Sequence, residues 1–341
     1  MPPAETNRRP RGSGSGGDQL RAQLYVHSFS YRYRLQHDPD FTVFSMIDDV
    51  RRHGLDGINV SVYPPEYTHL SGGNPAHLDR VAAALRDAGL GVDVETNRTD
   101  AEGLQHVMDV GTRLGARLLR TCTRMDPDGP AATLRRAITD LVHFAPRAAD
   151  AGITIVIENH EDLVSREVAQ LVSEVDSPAV RALFDYGNDM MVSESPVETI
   201  DDLLPWVATA HLKDQIVVRP QQDQDAFTLG VPLGAGVIPI RSLTERLLGA
   251  GLRRICLEPT WAYVAPIQPG RATAGTDESP LFDPIDVDTT DPRFCLNAES
   301  LIKIDPLRVC RDEAQMLELS YAWAATGLAG LPITLPTATR M

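Results

Sequence analysis

The chain has 341 residues, 32 Lys+Arg against 47 Asp+Glu for a formal charge of −15, and 43% hydrophobic residues. That length suits one large α/β barrel with extensions or two ordinary domains, and the apolar content excludes global disorder. The acidic balance excludes the positive field that binds phosphate backbones, so no nucleic-acid partner is expected; without an apolar run near ~20 residues, neither is a membrane span.

Residues 1–20 are rich in Arg, Pro, Gly and Ser and have no apolar segment. They read as a disordered tail, not a secretory signal. From Gln23 a unit recurs in which a short β-rich run is followed by polar residues and an amphipathic helix. The predicted strands are Leu24–Ser28, Gly57–Val62, Gly91–Glu95, Arg117–Thr121, Ile153–Asn159, Arg181–Asp185, Ala208–Leu212 and Arg254–Glu258. Helical spacing lies between them, as in Leu78, Val81, Ala82 and Leu85. Thr133 and Ser165 are predicted N-caps, and Gly54, Gly89, Gly152 and Gly251 predicted C-caps.

Strands alternating with helices require parallel pairing, and eight such units favour closure into a (β/α)8 TIM barrel over residues 21–330. A dinucleotide-binding sheet would want GxGxxG after its first strand, where this chain has Ser-Phe-Ser-Tyr-Arg-Tyr-Arg. A Pro-rich, acidic insertion, 261–310, separates the last strand from the last helix, Arg311–Gly327. It leaves from the catalytic face, as every βα loop does, and is expected either to fold over the pocket or to make an oligomer contact. Residues 331–341 read as a C-terminal tail.

Four cysteines, Cys122, Cys256, Cys295 and Cys310, form no CxxC pair and no zinc-finger spacing. No disulfide framework is expected, and the simplest compartment is the cytoplasm. The informative residues stand at the ends of the late strands: Glu158, Asn159 and His160; Asp185 and Asn188; His211, Lys213 and Asp214; and Glu258. All strand ends converge on one mouth. A carboxylate following an apolar strand is costly to leave unpaired, and a divalent cation resolves that cost. Three carboxylates and one imidazole suit Mn²⁺, Mg²⁺ or a related ion.

The ordered set Ile-Glu-Asn-His, Phe-Asp-Tyr-Gly-Asn, His-Leu-Lys-Asp, Pro-Leu-Gly-Ala-Gly-Val-Ile-Pro (Pro232–Pro239) and Leu-Glu-Pro resembles the xylose-isomerase-like barrels. Those barrels include ketose 3-epimerases, inosose dehydratases and hydroxypyruvate isomerases. The resemblance covers about Leu24 to Glu258. It implies a metal bound by Glu158, Asp185, His211 and Glu258, with Mn²⁺ first and Mg²⁺, Co²⁺ or Zn²⁺ as alternatives. It also implies that Glu158 and Glu258 exchange the substrate proton. The expected reaction is isomerisation or epimerisation of a carbohydrate through an enediolate. The alternative is a lyase, a dehydratase or the large subunit of a C-glycoside deglycosidase, acting on a 3-oxo-sugar.

Two departures bear on that choice. The epimerases usually carry a histidine three residues after the strand-six aspartate, where this chain has Asn188, which cannot shuttle protons. The insertion after Glu258 is absent from the compact epimerases. The deglycosidases bind a small partner subunit, so such a subunit, or a homo-oligomer, is a candidate partner beside the carbohydrate substrate.

His160 stands two residues beyond Glu158 and reads as a substrate ligand or general base, or else as a loop histidine. Lys213 reads as an enolate-neutralising cation or as half of a salt bridge to Asp214 or Glu258. His27, Glu95, Asn159 and Asn188 are assigned to substrate binding, with a satisfied core histidine as the other reading of His27; Glu95 and Arg120 are expected to pair with each other rather than to bind substrate hydroxyls. Tyr31 to Arg34 read as a solvated loop, or else as a surface that stacks against a sugar or aromatic aglycone; Cys256 reads as barrel filling, and His53, His106 and His143 as structural.

Overall fold

The computed structural model describes residues 21–64, 66–219, 225–268 and 279–337. The strands are β1 (Gln23–His27), β2 (Gly57–Ser61), β3 (Gly91–Glu95), β4 (Leu118–Thr121), β5 (Thr154–Glu158), β6 (Val180–Asp185), β7 (Val207–Leu212), β8 (Asp214–Val218), β9 (Phe227–Val231), β10 (Arg254–Leu257) and β11 (Val264–Pro266). Eight of them close into a barrel in the order β1-β10-β7-β6-β5-β4-β3-β2, and every pair in it is parallel. These are the eight strands expected from the sequence, each within a residue of its predicted bounds. The fold is a (β/α)8 barrel.

The helices are α1 (Arg32–His37), α2 (Val43–Arg52), α3 (Pro75–Ala88), α4 (Ala101–Leu114), α5 (Pro130–Ala151), α6 (Ser165–Val175), α7 (Asn188–Met191), α8 (Pro196–Leu203), α9 (Ile240–Gly249), α10 (Ala298–Leu301) and α11 (Pro306–Gly327). Helix α3 has proline at its first position, an Asn74 N-cap that accepts from His77 N, and a left-handed Gly89 at its end. Two predicted caps move. Helix α5 starts at Pro130, which puts the Thr133 hydroxyl inside its first turn, donating to Gly129 O. Ser165 is the first helical residue of α6 and donates to Asp189 instead.

The bottom of the barrel is filled by side chains. Tyr25 lies across β2 and β3, where a Cβ on Gly57 or Gly91 would run into its ring or hydroxyl. The Arg254 guanidinium covers that ring at 4.5 Å and pairs with Asp93 at 2.7 Å. Cys256 is buried above them, and burial pushes its thiol well up, consistent with filling. Residues 331–337 do not trail away as a tail. Ile333 bridges Ala22 and is fully buried, and Thr337 N donates to His53 O at 2.8 Å. The segment seals the amino-terminal end of β1. Residues 1–20 and 338–341 lie outside the described residues.

Tyr31 to Tyr33 are buried, not solvated. Tyr31 bonds Tyr321 of α11 at 2.6 Å, and Glu313 of α11 accepts from the Tyr33 and Arg34 backbone amides. The aromatic spacing was a packing signal toward a helix almost three hundred residues away.

A further departure from the sequence reading is an antiparallel sheet, β11-β9-β8, on the carboxyl side of the barrel. Strands β8 and β9 are a hairpin within the loop after β7, and the insertion contributes β11. Asp214 opens this sheet and explains the Pro232–Pro239 stretch. Its carboxylate accepts from the backbone N–H of Gln215, Gly234, Gly236 and Ile238 at 3.0, 2.9, 2.9 and 3.2 Å. A Cβ on Gly236 would strike that carboxylate, and Gly234, at φ +81°, lies against Trp323.

Asp214→Ala removes the acceptor of four amides, two of them on the buried residues Gln215 and Ile238, where each orphan costs about 1–3 kcal/mol. Stability is expected to fall by roughly 3 kcal/mol or more on that scale, and Asp214→Asn to lose less because it keeps one acceptor oxygen. Denaturant unfolding of both variants checks this, and equal losses would show that the carboxylate does not organise the loop.

Candidate active site

The registers of neighbouring strands bring the strand-end residues level. Asp185 sits beside His211 on β6 and β7, and Glu95 beside Arg120 on β3 and β4. Because alternate residues face inward, Arg254, Cys256 and Glu258 share one side of their strand, with Glu258 at the mouth. Glu158, Asp185, His211 and Glu258 each offer a ligand atom within 4.8 Å of the others'. All four are buried, at 1%, 0%, 1% and 8% exposure.

Four buried atoms there have no hydrogen-bond partner: Glu158 Oε1, Asp185 Oδ2, His211 Nδ1 and Glu258 Oε2, one from each residue. They lie close together, with His211 Nδ1 at 2.8 Å from Glu158 Oε1 and 3.3 Å from Glu258 Oε2. Lys213 Nζ lies 3.0 Å from Asp185 Oδ2 and from Glu258 Oε2 without hydrogen-bonding geometry to these orphaned oxygens. Unpaired buried polar atoms are expensive, so four converging on one point indicate a group that completes them.

Charge gives the same answer. The buried acids at the mouth are Glu95, Glu158, Asp185 and Glu258, and the buried fixed cations facing them are Arg120 and Lys213. His27 accepts the Phe29 N–H at Nδ1, 2.9 Å, and meets Glu95 through Nε2 at 2.5 Å. Among the described residues the buried carboxylates there outnumber the buried fixed cations, and a divalent cation would offset that excess. The donor set, three carboxylates and an imidazole, fits such an ion.

Asn59, inward-facing on β2, supports the His211 ring. Its Nδ2 lies 3.3 Å from His211 Nε2 while its Oδ1 has no partner. A half-turn of the amide lets Oδ1 accept from Nε2–H, which frees the Nδ1 lone pair for a cation. Sequence reasoning missed Asn59, although its place between Gly57 and Ser61 in the alternation marks it as inward.

Lys213 also donates to Asn188 Oδ1 at 3.2 Å. Burial works against its charge, but Asp185 and Glu258 outweigh burial and keep the amine protonated. Burial likewise raises Glu258, and Lys213, His211 and His27 bring it well below the usual carboxylate range. Asp185 goes up, chiefly by burial, with Lys213 pulling it back. Of the two salt bridges foreseen for Lys213, the one to Glu258 is present, whereas Asp214 is spent on backbone amides.

A cavity of about 170 Å³ opens above the quartet, with His27, Glu95, Arg120, Glu158, His160, Asn188, Lys213 and Glu258 in its wall. His160 is half-buried and makes no hydrogen bond to the described residues. Burial, then the Arg120, Arg124 and Lys213 charges, hold its ring neutral. Glu95 accepts from Ser61 Oγ at 2.6 Å and Tyr63 at 3.1 Å. Burial raises its pKa, but His27 and Arg120 outweigh this and leave it well below the usual range.

Arg120 does not pair chiefly with Glu95, which is 3.9 Å away; its guanidinium is pressed against Glu158 Oε2. Asn159, expected to touch substrate, is absent from the cavity wall. Its amide accepts from Asp185 N at 2.6 Å and donates to Asp185 O and to Asp189, so it fixes the end of β6.

The described part of the insertion lies over the mouth. Tyr263 lines the cavity and donates to Glu161 at 2.5 Å, and Gln268 joins Met191 O and Glu161 O. Residues 269–278 of the insertion lie outside the described residues. His53 is paired with Glu318 and with Asp49 O. His143 bonds its own helix at Thr139 O, and His106 packs on Tyr67. No helix among the described residues is long and apolar enough to cross a membrane.

Comparison with known proteins bears on the family and the fold. The chain is 24% identical over 235 residues to the uncharacterised protein YihM of Escherichia coli strain K12, covering 67% of this chain and 69% of that one. It is 26% identical over 183 residues to the 3-oxo-isoapionate decarboxylase of Pectobacterium atrosepticum, covering 53% of this chain and 66% of that one. Among solved structures, a D-psicose 3-epimerase of Clostridium cellulolyticum H10 with D-tagatose aligns with TM-score 0.57 and 14% identity, over 88% of this chain and 98% of that one. Residues 47–278 match the family described as Xylose isomerase-like TIM barrel, and with the closed barrel above them they place the chain in that family.

Proposed function

We propose that the chain is a divalent-metal-dependent enzyme that removes a proton beside the carbonyl of an oxo-sugar or related polyol and then expels a group from the β position. The observation that carries the metal requirement is the convergence of four orphaned atoms, one each from Glu158, Asp185, His211 and Glu258. A bound cation would polarise the substrate carbonyl or a vicinal hydroxyl.

The chain's own groups supply the rest. His160, neutral and unpartnered in the cavity wall, takes the proton. Lys213 and Arg120 face the negative charge that develops on oxygen. Glu258 keeps its second oxygen free, since its neighbour His27 Nδ1, 3.7 Å away, is itself an acceptor from Phe29. Glu95 and Asn188 orient hydroxyls.

The same enolate, reprotonated, gives isomerisation or epimerisation, the outcome first expected from the sequence. That outcome needs two free carboxylates, and the Arg120 guanidinium occupies the second oxygen of Glu158. This contact favours elimination, as does the 33% identity over 98 residues to an inosose dehydratase of Clostridium botulinum, 27% of this chain.

The test is a screen of 3-oxo and 2-oxo sugars and their glycosides in D₂O with metal-loaded enzyme. The expected result is release of water or an aglycone, lost by at least about 10² in His160→Gln. Deuterium entering an inverted or isomerised sugar, with nothing released, would decide for the isomerase.

A further inference from the structure

Two of the strand-end motifs, Ile-Glu-Asn-His and Phe-Asp-Tyr-Gly-Asn, end neighbouring strands, and the residue after the second, Asp189, has no part in the chemistry above. It is fully buried on α7. Burial pushes its carboxyl up to about 6, with the bonds from Thr199, Asn159 and Ser165 pulling against burial. At neutral pH it is mainly ionised, yet no lysine or arginine among the described residues forms an ion pair with it. The charged neighbour acting on it is Asp185, of the same sign. A buried acid without a cation costs stability, and an apolar side chain of similar size would cost less. What the acid holds explains its presence.

Asp189 Oδ1 accepts from Ser165 Oγ at 2.8 Å and from Asn159 Nδ2 at 3.0 Å, and Oδ2 accepts from Thr199 Oγ1. Ser165 and Thr199 fix the carboxylate. The carboxylate can only accept, so it fixes the Asn159 amide with its NH₂ turned toward Asp189. In that orientation Asn159 Oδ1 accepts from Asp185 N at 2.6 Å, and Nδ2 donates to Asp185 O at 3.1 Å. Both backbone groups of Asp185 are gripped by one side chain. A flipped amide would set its NH₂ against the Asp185 N–H and its oxygen against the Asp189 carboxylate. With the backbone held, Asp185 Oδ1 takes the Gly187 and Asn188 amides at 2.9 and 2.8 Å, and Oδ2 is left for the quartet.

We propose that Asp189 is a positioning residue for the metal centre, acting through Asn159 to set the Asp185 carboxylate that would bind the ion. The inference rests on the metal reading of the quartet and deepens it. Partners one step out from a ligand change metal affinity by about 10–100-fold, because a ligand left free to turn must be ordered when the ion binds.

The experiment titrates Mn²⁺ into metal-stripped protein, followed by calorimetry at a temperature where every variant is folded. Asp189→Ala is expected to bind Mn²⁺ at least about tenfold more weakly than the native chain. Asp189→Asn, which keeps an acceptor oxygen toward Asn159, is expected to recover most of that loss. Asn159→Ala is expected to match Asp189→Ala, and the double variant to be no worse than either, since the two residues act in series. Thr199→Val removes a bond to the same carboxylate but spares the one to Asn159. It is expected to lower the melting temperature while Mn²⁺ affinity stays native, a separation that a merely structural Asp189 would not produce.

Native Mn²⁺ affinity in folded Asp189→Ala would overturn the proposal, as would losses that add in the double variant. A loss in Thr199→Val as large as that in Asp189→Ala would do the same, by assigning the effect to general loosening. Should Asp189→Ala not fold, Asp189→Leu, which fills the space and removes the buried charge, is read in its place by the same criteria. A native chain that takes up no Mn²⁺ would bring down the metal reading and this inference together. Native uptake that is unaltered in the Asp189 variants would bring down this inference alone.

Discussion

Glu258→Gln is expected to lower turnover by about 10³ while the protein still folds, on the scale by which general acid–base groups contribute. The substitution keeps the size and shape of the side chain and removes its charge and its proton capacity. Glu258 Oε2 is one of the four buried atoms without a hydrogen bond, and it lies 3.0 Å from Lys213 Nζ and 3.3 Å from His211 Nδ1. A glutamine there takes one charge from the donor set and presents an amide to a lysine. Metal content measured by elemental analysis is expected to fall together with turnover, and near-UV circular dichroism to stay native. Glu158→Gln is expected to behave alike, because Arg120 would then face a neutral group. Native-like turnover in either variant would remove both carboxylates from the chemistry.

The second large effect concerns stability. Lys213→Met leaves Asp185 and Glu258 buried without their shared cation, and breaking a buried pair on one side costs about 3–5 kcal/mol. Metal-free Lys213→Met is therefore expected to melt far below the metal-free native protein. A divalent ion binding the same carboxylates restores part of the lost attraction, so adding Mn²⁺ or Mg²⁺ should raise the melting temperature of the variant more than that of the native chain. An equal rise in both would mean that the ion and Lys213 do not share those oxygens. Chelation of the native protein is expected to lower its melting temperature for the same reason.

The eight barrel strands were legible because each couples an apolar run to a polar end within a few residues, and that pattern is local. The quartet was legible for a related reason. Glu158, Asp185, His211 and Glu258 each end such a run, and parallel closure obliges strand ends to meet. The antiparallel sheet was harder, since β8 follows β7 after a single residue and reads as its continuation. Its signal was a second apolar run, Phe227–Val231, beyond a polar stretch. Asn59 was visible only in the alternation of β2. Tyr263 and Phe29 gave no signal, because an aromatic in a loop acquires meaning only from what it faces.

Pairing was the part left to the tertiary structure. The acids and bases at the mouth are visible one by one in the chain, but their partners lie tens to hundreds of residues away. Arg120 has both Glu95 and Glu158 on adjacent strands, and the tilt of the barrel awards it to Glu158. Asn159 and His160 are neighbours in sequence, yet one turns to the end of β6 and the other lines the cavity. Local chemistry thus set the barrel and its ring of charged strand ends. Closure, with its fixed register and its exclusion of water, decided which charges neutralise each other and which four atoms are left facing one point.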